Sequence, residues 1–397
     1  MTKKTVAIIG GGASGLFAAS ELNSDKFDVT IYEKNKTLGR KFLVAGDGGF
    51  NLTHSEPIED MIERYTPVHF LEHSLRQFNN EYYCDWLQSI GIPTFIGSSK
   101  RVFPKEGIKP IGVLNAIKNK LVNKNVQFKF EESWTGWEEN NSLSFSSGLS
   151  IKSDIVIFSL GGASWNVTGS DGTWISTFER KAIEIVPFEA SNCAYEVIWP
   201  EAFIQSNEGE PLKNISVNIG AKTVKGELVV TKFGIEGNAI YALSPEIRSQ
   251  INTNGKSQVN IDLKPSLTKD QLIAKWKNNS RKNKTDFLKI DLHLSKVQVK
   301  MLKTLLSKEE FLDDKVLFEK IKSLPIEIIN VASINEAIST VGGVSLSDVT
   351  KDFELDKFPN HYCIGEMLNW DAPTGGYLLQ ACFSMGMKIA NELNKKA

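Results

Sequence analysis

At 397 residues the chain exceeds what one ordinary hydrophobic core serves, so two or three domains are expected. Its 46 basic and 47 acidic side chains leave a formal net charge of -1, so no global field draws it to nucleic acid or to an anionic membrane. The start MTKKTVAIIGGG carries neither a cleavage-site pattern nor an apolar run able to span a bilayer, and a cytoplasmic protein without a membrane partner is expected.

In chain order, Thr5 to Ile9 read as a fully buried strand that breaks into glycines. Gly10, Gly12 and Gly15 then satisfy GxGxxG where a helix should begin near Ala13. Gly10 suits a tight turn, Gly12 lets a pyrophosphate approach the backbone, and Gly15 lets the helix pack closely on the sheet. A helix N-terminus offers free N–H groups and about half a positive charge to that pyrophosphate. Alone the pattern is weak: with 30 glycines, a random chain of this length shows it about 0.17 times.

Context strengthens it. FDVTIYE, Phe27 to Glu33, reads as a second strand ending in an acid, where a carboxylate accepts protons from both ribose hydroxyls. A carboxylate there repels a 2′-phosphate, so an unphosphorylated adenosine ribose is expected, which leaves NAD and FAD open. Beyond it, Gly39, Arg40 and Lys41 place cations where the chain should double back beneath the phosphates. His69 and His73 have i, i+4 spacing but no further ligand is apparent, so no metal is expected. Trp134, Trp137 and Trp165 need no role beyond aromatic packing.

SDIVIFSLGGAS, Ser153 to Ser164, reads as another buried parallel strand running into a Gly161-Gly162 turn. From about Phe188 to Leu263 strands and turns alternate, as in a small antiparallel barrel or sheet. From Ser266 to about Leu324 the pattern is helical and charged, with SLTKDQLIAKWK a capped start. The basic run KWKNNSRKNK reads as a solvated surface. Finally, His361 to Leu393 reads as a strand, a Gly365-Glu366 turn, and a helix opened by Thr374-Gly375-Gly376.

An ADP motif at one end and a strand, acid and glycine-opened helix at the other are what an extended FAD needs. The C-terminal acid suits the ribitol or pyrophosphate side, and the Gly375-Gly376 helix start suits the flavin pyrimidine edge, where negative charge collects on reduction. Cys84, Cys193, Cys363 and Cys382 form no CxxC pair and read as core thiols in a reducing compartment.

The chain resembles the YhiN/BaiN-like flavoproteins, FAD- or NAD(P)/FAD-dependent oxidoreductases, over nearly its whole length. The resemblance runs through AIIGGGASGLFAA, GRKFLVAGDGGFNLTH, RVFPKEGIKPIGVLNAI, VIFSLGGASWNVTGSDGTW, GELVVTKFGIEGNAIYALS, STVGGVSL and IGEMLNWDAPTGGYLLQACFSMG. It implies FAD contacts at Gly10, Gly12, Ala13, Ser14, Gly15, Glu33, Lys34, Arg40 and Lys41. Further implied contacts are Asn51, Leu52 and Thr53 near the isoalloxazine, then Gly161, Gly365, Glu366, Gly376 and Tyr377. There is one departure. Where many members read Gly-Arg-Cys-Asn, this chain reads Gly48-Gly49-Phe50-Asn51, so Phe50 suggests an apolar wall and a divergent subgroup.

The fold class expected is α/β: a Rossmann-like, glutathione-reductase-like FAD domain with an inserted β-domain and a small helical domain. In residues, that is 1–187 and 336–397 for the FAD domain, 188–265 and 325–335 for the β-domain, and 266–324 for the helical domain. The expected function is a flavin-dependent oxidoreductase acting on an unknown small molecule. No second GxGxxG follows a strand, so NAD(P)H is expected only as a transient reductant in the cleft between the domains. A nucleic-acid partner is not expected, although a non-catalytic or RNA-directed flavoprotein stays open as the alternative. His54 follows the flavin-facing loop, where it reads as a local cap or as a proton donor.

Overall fold

The computed structural model describes residues 2–44, 49–280 and 283–397. The stretch Ala45 to Gly48, which includes Gly48 of the departure above, and Arg281 and Lys282 of the basic run lie outside the described residues. The chain divides into two compact units, Met1–Ala190 with Ile338–Ala397, and Ser191–Ala337.

The first unit is built on a five-stranded parallel sheet. Its strands are β1 (Lys4–Ile9), β2 (Phe27–Glu33), β3 (Gln127–Phe130), β4 (Ile155–Phe158) and β5 (His361–Cys363). Their order is β5-β4-β1-β2-β3, every pair parallel. β1 is central, which is why Val6 to Ile9 are continuously apolar and at most 2% exposed: a strand covered on both faces has no polar side to alternate with. The connection from β3 to β4 is a three-stranded antiparallel sheet, Trp134–Trp137, Leu143–Phe145 and Ser150–Ile151. Trp134 and Trp137 meet edge to face at 4.7 Å and both pack against Phe158 and Phe178, so these two indoles are core residues.

Three helices cover the sheet: α1 (Ala13–Glu21), α2 (Pro110–Asn123) and α3 (Tyr377–Lys396). α3 lies directly against α1. A Cβ on Gly386 would stand 2.8 Å from the Ala18 nitrogen and from the Phe17 Cβ, so only glycine permits the approach. Phe17, Tyr83 and Phe383 seal the contact, with Tyr83 stacked on Phe383 at 4.1 Å. The first and last stretches of the chain thereby share one layer.

The second unit is a seven-stranded antiparallel sheet. In order its strands are Leu324–Ile328, Ser257–Asp262, Pro211–Ile219, Lys222–Val230, Gly234–Glu236, Tyr195–Glu196 and Asn330–Val331. Its helices start on sequence-coded caps: Thr268 with Gln271, Ser295 with Gln298 and Ser307 with Glu310 each form a reciprocal capping box. No helix of the described residues is long and apolar enough to cross a membrane.

Candidate functional site

The β1–α1 turn is set by contacts with Ser159, just past β4. Gly10 adopts φ +104, and a Cβ there would stand 2.4 Å from the Ser159 carbonyl oxygen. A Cβ on Gly15 would meet the Ser159 Oγ at 2.4 Å and the Gly10 oxygen at 2.6 Å, so the first turn of α1 is drawn onto the sheet. Gly12 differs: its nearest atom would be 3.9 Å away, which leaves space beside the backbone. No side chain caps α1 at Gly12, so the N–H groups of Ala13, Ser14 and Gly15 stand at the positive end of the helix.

Glu33 ends β2 under this turn, 8% exposed. One carboxylate oxygen accepts from the Gly11 N–H at 2.8 Å; the other accepts from the Asn35 backbone and side-chain nitrogens at 2.8 and 2.7 Å. Asn35 in turn accepts from Arg40 at 2.6 Å, and Arg40 donates to the Val167 carbonyl at 2.7 Å. Lys34 pairs with Asp171 at 2.8 Å. Burial raises the Asp171 carboxyl, but the Lys34 ammonium outweighs it and leaves it below its usual value. Lys34 and Arg40 therefore tie the segment after β2 to the loop around 165–171.

Lys41 bridges the two ends of the chain. It donates to the Ser164 Oγ at 2.7 Å and to one oxygen of Glu366 at 2.8 Å, across 325 positions of sequence. The other oxygen of Glu366 is buried and has no hydrogen-bond partner among the described residues. Beside it, Gly365 presses on α1: a Cβ there would stand 2.3 Å from the Ser14 Oγ. Gly161, in the turn after β4, accepts the Trp174 indole N–H at 3.1 Å.

At the far end of the site, the Leu52 N–H donates to the Val102 carbonyl at 2.8 Å, and the Thr53 hydroxyl donates to Gln380 at 2.6 Å inside the core. Gly376 caps α3 at φ +105, where a Cβ would lie 2.5 Å from Thr53 backbone atoms. The start of α3 and the 51–53 segment are thus locked together, with Asn51 half-buried at the edge. Phe50 is buried edge-on against Phe42 at 5.0 Å, an apolar packing residue.

The Tyr377 side chain points into a polar cluster. Its hydroxyl donates to Glu56 at 2.7 Å, its ring stacks on His54 at 5.3 Å, and Arg64 grips Glu56 at 3.1 and 2.8 Å. Burial alone would raise the Glu56 carboxyl, yet hydrogen bonds from Arg64 and Tyr377 hold it below its usual value. The His54 Nδ1 accepts the Glu56 N–H at 3.2 Å, and burial pushes the imidazole below its usual value despite the adjacent Glu56.

His54 is thus a locally bonded ring whose hold on a proton burial weakens. His69 pairs only with Glu72 at 3.3 Å on the surface, and no metal-holding cluster occurs among the described residues. Cys363 and Cys382 are buried with thiols raised by burial, Cys382 to about 12. Asn35, Glu56, Arg64, Ser159, Gln380 and Arg101 were not legible as site residues. Arg101, Ser159 and Gln380 stand within stretches that carry the family resemblance, but nothing in their spacing marks a role; Asn35, Glu56 and Arg64 lie outside those stretches.

A parallel sheet opened by a glycine turn, with a helix start and an acid returning from the far end of the chain, defines a Rossmann-type α/β protein. The family model described as the HI0933-like protein Rossmann domain matches residues 4–392, and the chain belongs to that family. It is 23% identical over 420 residues to a ribosomal RNA dihydrouridine synthase of Haemophilus influenzae, covering 98% of each chain. It is 22% identical over 409 residues to a 3-dehydro-bile acid delta(4,6)-reductase of Clostridium scindens, covering 96% of this chain and 97% of that one. Among solved structures, the 3-ketosteroid-delta4-(5alpha)-dehydrogenase of Rhodococcus jostii RHA1 has the same fold, with a TM-score of 0.50 at 12% identity over 98% of this chain and 96% of that one.

Proposed function

We propose that the protein is an FAD-dependent oxidoreductase that reduces a carbon–carbon double bond conjugated to a carbonyl. The carrying observation is the meeting of the chain ends around unfilled polar capacity: Gly365 on Ser14, Lys41 on Glu366, and a buried Glu366 oxygen without a partner. A buried carboxylate oxygen left unpaired is costly unless a ligand donor reaches it, and a ribitol hydroxyl is such a donor. Together with the space beside Gly12, the residues fit the cofactor.

In this reading Gly10, Gly12, Ala13, Ser14 and Gly15 receive the pyrophosphate, with Gly161 on the opposite side of the turn. Glu33, already oriented by Gly11 and Asn35, takes the adenosine ribose and disfavours a 2′-phosphate. Lys34 and Arg40 hold the wall of the adenosine end, and Lys41 with Gly365 and Glu366 holds the ribitol side. Asn51 faces the isoalloxazine, Leu52 and Thr53, both fully buried, support it from behind rather than line it, and the backbone of Gly376 and Tyr377 meets the pyrimidine edge. Bound FAD supplies a carrier of two electrons that gives or takes a hydride equivalent.

The substrate class rests on the relatives. A dihydrouridine synthase and a delta(4,6)-reductase of a 3-oxo acid both saturate a double bond next to a carbonyl. A second reading, in which RNA carries that double bond, is favoured by the likeness to the Haemophilus synthase. Anaerobic mixing with NADH or NADPH, followed by flavin bleaching, tests the reductant. Reoxidation by a 4-en-3-one steroid or by uridine-containing ribosomal RNA then separates the two substrates. A protein that is purified without flavin and takes up none would end this reading.

A further inference from the structure

The strand Arg101–Pro104 pairs antiparallel with Thr53–His54, and the register sets Arg101 opposite His54. This carries the guanidinium over the start of α3: a Cβ on Gly375 would stand 3.3 Å from its Nε and 3.8 Å from its Nη2. Arg101 is half-buried, and among the described residues its side chain has no hydrogen bond and no ion pair. Other cations of the same unit are paired: Lys34 with Asp171, Lys41 with Glu366 and Arg64 with Glu56, each at 2.8 Å.

The placement is unfavourable as it stands. A guanidinium beside the first turn of α3 faces the positive end of the helix, and at His54 it acts with Arg64 to disfavour a proton, against the opposing charge of Glu56. The strand fixes the backbone, so the charge is held near the 51–53 segment and the α3 start rather than free to swing away. A fixed cation of this kind matches an oxygen that becomes negative. Arginine cannot lose its proton in this setting, so it acts as a fixed charge and hydrogen-bond donor, not as an acid.

We propose that Arg101 is a catalytic residue that binds the carbonyl oxygen of the conjugated substrate. The inference rests on the oxidoreductase reading above. As a hydride equivalent from the reduced cofactor forms the new C–H bond at the β-carbon, the π pair of the C=C bond shifts to make an enolate, whose oxygen carries the charge against Arg101. A proton from water then forms the C–H bond at the α-carbon and the carbonyl returns. The substrate gains two electrons and two hydrogens, and the cofactor, re-reduced by a nicotinamide, supplies the electron pair.

The test uses the FAD-loaded protein and 4-chlorophenol, whose phenolate oxygen mimics the enolate and whose stacking on oxidised flavin gives a long-wavelength absorbance band. Arg101→Gln is expected to weaken phenolate binding about tenfold or more and to lower turnover of a 4-en-3-one about 100-fold, the loss typical of one oxyanion donor. Arg101→Lys should retain part of the binding, and FAD occupancy and circular dichroism should match the parent in both variants. Equal phenolate affinity in Arg101→Gln overturns the assignment, as does a shifted flavin potential with unchanged phenolate binding, which would give the charge to the cofactor. An FAD-loaded parent that binds no phenolate also overturns the role of Arg101 while leaving the cofactor reading intact; a parent that holds no FAD overturns both.

Discussion

Glu33 holds three protein donors, so its charge stabilises the glycine turn whether or not it also takes the ribose of the proposed cofactor. Hydrogen bonds to a charged group contribute about 1.5–3 kcal/mol each. Glu33→Ala is therefore expected to weaken FAD binding by about 10- to 100-fold, measured as flavin fluorescence released after dialysis. Unchanged occupancy would show that the adenosine end lies elsewhere.

His361 gives a second residue-scale prediction. Burial pushes it below its usual value of 6.5, with Nδ1 held at 3.0 Å from the Pro359 carbonyl and Nε2 buried with no hydrogen-bond partner among the described residues. As pH falls through 6.5 the unfolded chain takes up the proton first, so stability present above that value is lost as pH drops towards the folded value. His54 acts in the same direction. The urea midpoint should fall between about pH 7.5 and about pH 5, and fall less in His361→Phe.

At the scale of elements, α3 joins the whole first unit. Its 20 residues meet α1 at Gly386 and the 51–53 segment at Gly376, with Gln380 between them. Gln380 donates to the Phe78 carbonyl and Ser384 at 3.0 Å each, so the helix is fixed in rotation as well as in depth. Gly386→Leu should push α3 off α1 and cost about 1–3 kcal/mol, read from the urea midpoint. Gly376→Val meets both a positive φ and the Thr53 backbone, so it should disturb the flavin spectrum as well as stability. A spectrum identical to the parent would remove the helix start from the site.

At the scale of the molecule, the protein should be yellow when purified and release FAD on denaturation. Because the cofactor would be gripped by segments from both ends of the chain, it should stabilise the folded state by mass action. At free FAD of about 100 times Kd the gain is about 2.7 kcal/mol, visible as a Tm that rises with added FAD and not with added AMP at the same concentration. A Tm indifferent to FAD would contradict the convergence described here.

The sequence alone determined the strand–turn–helix from Lys4 to Glu21, the acid closing β2 and the capped helix start at Thr268. These depend on interactions within a few residues, where glycine, cap and periodicity rules act directly on the local backbone. Tertiary structure alone decided that Lys41 reaches Glu366, that Thr53 meets Gln380 and that Tyr377 turns to Glu56, partners 325, 327 and 321 positions apart. It alone set Arg101 over Gly375 with no ion pair among the described residues. Such pairings follow from how whole helices and strands pack, and no spacing along the chain encodes which distant side chain that packing brings within 3 Å.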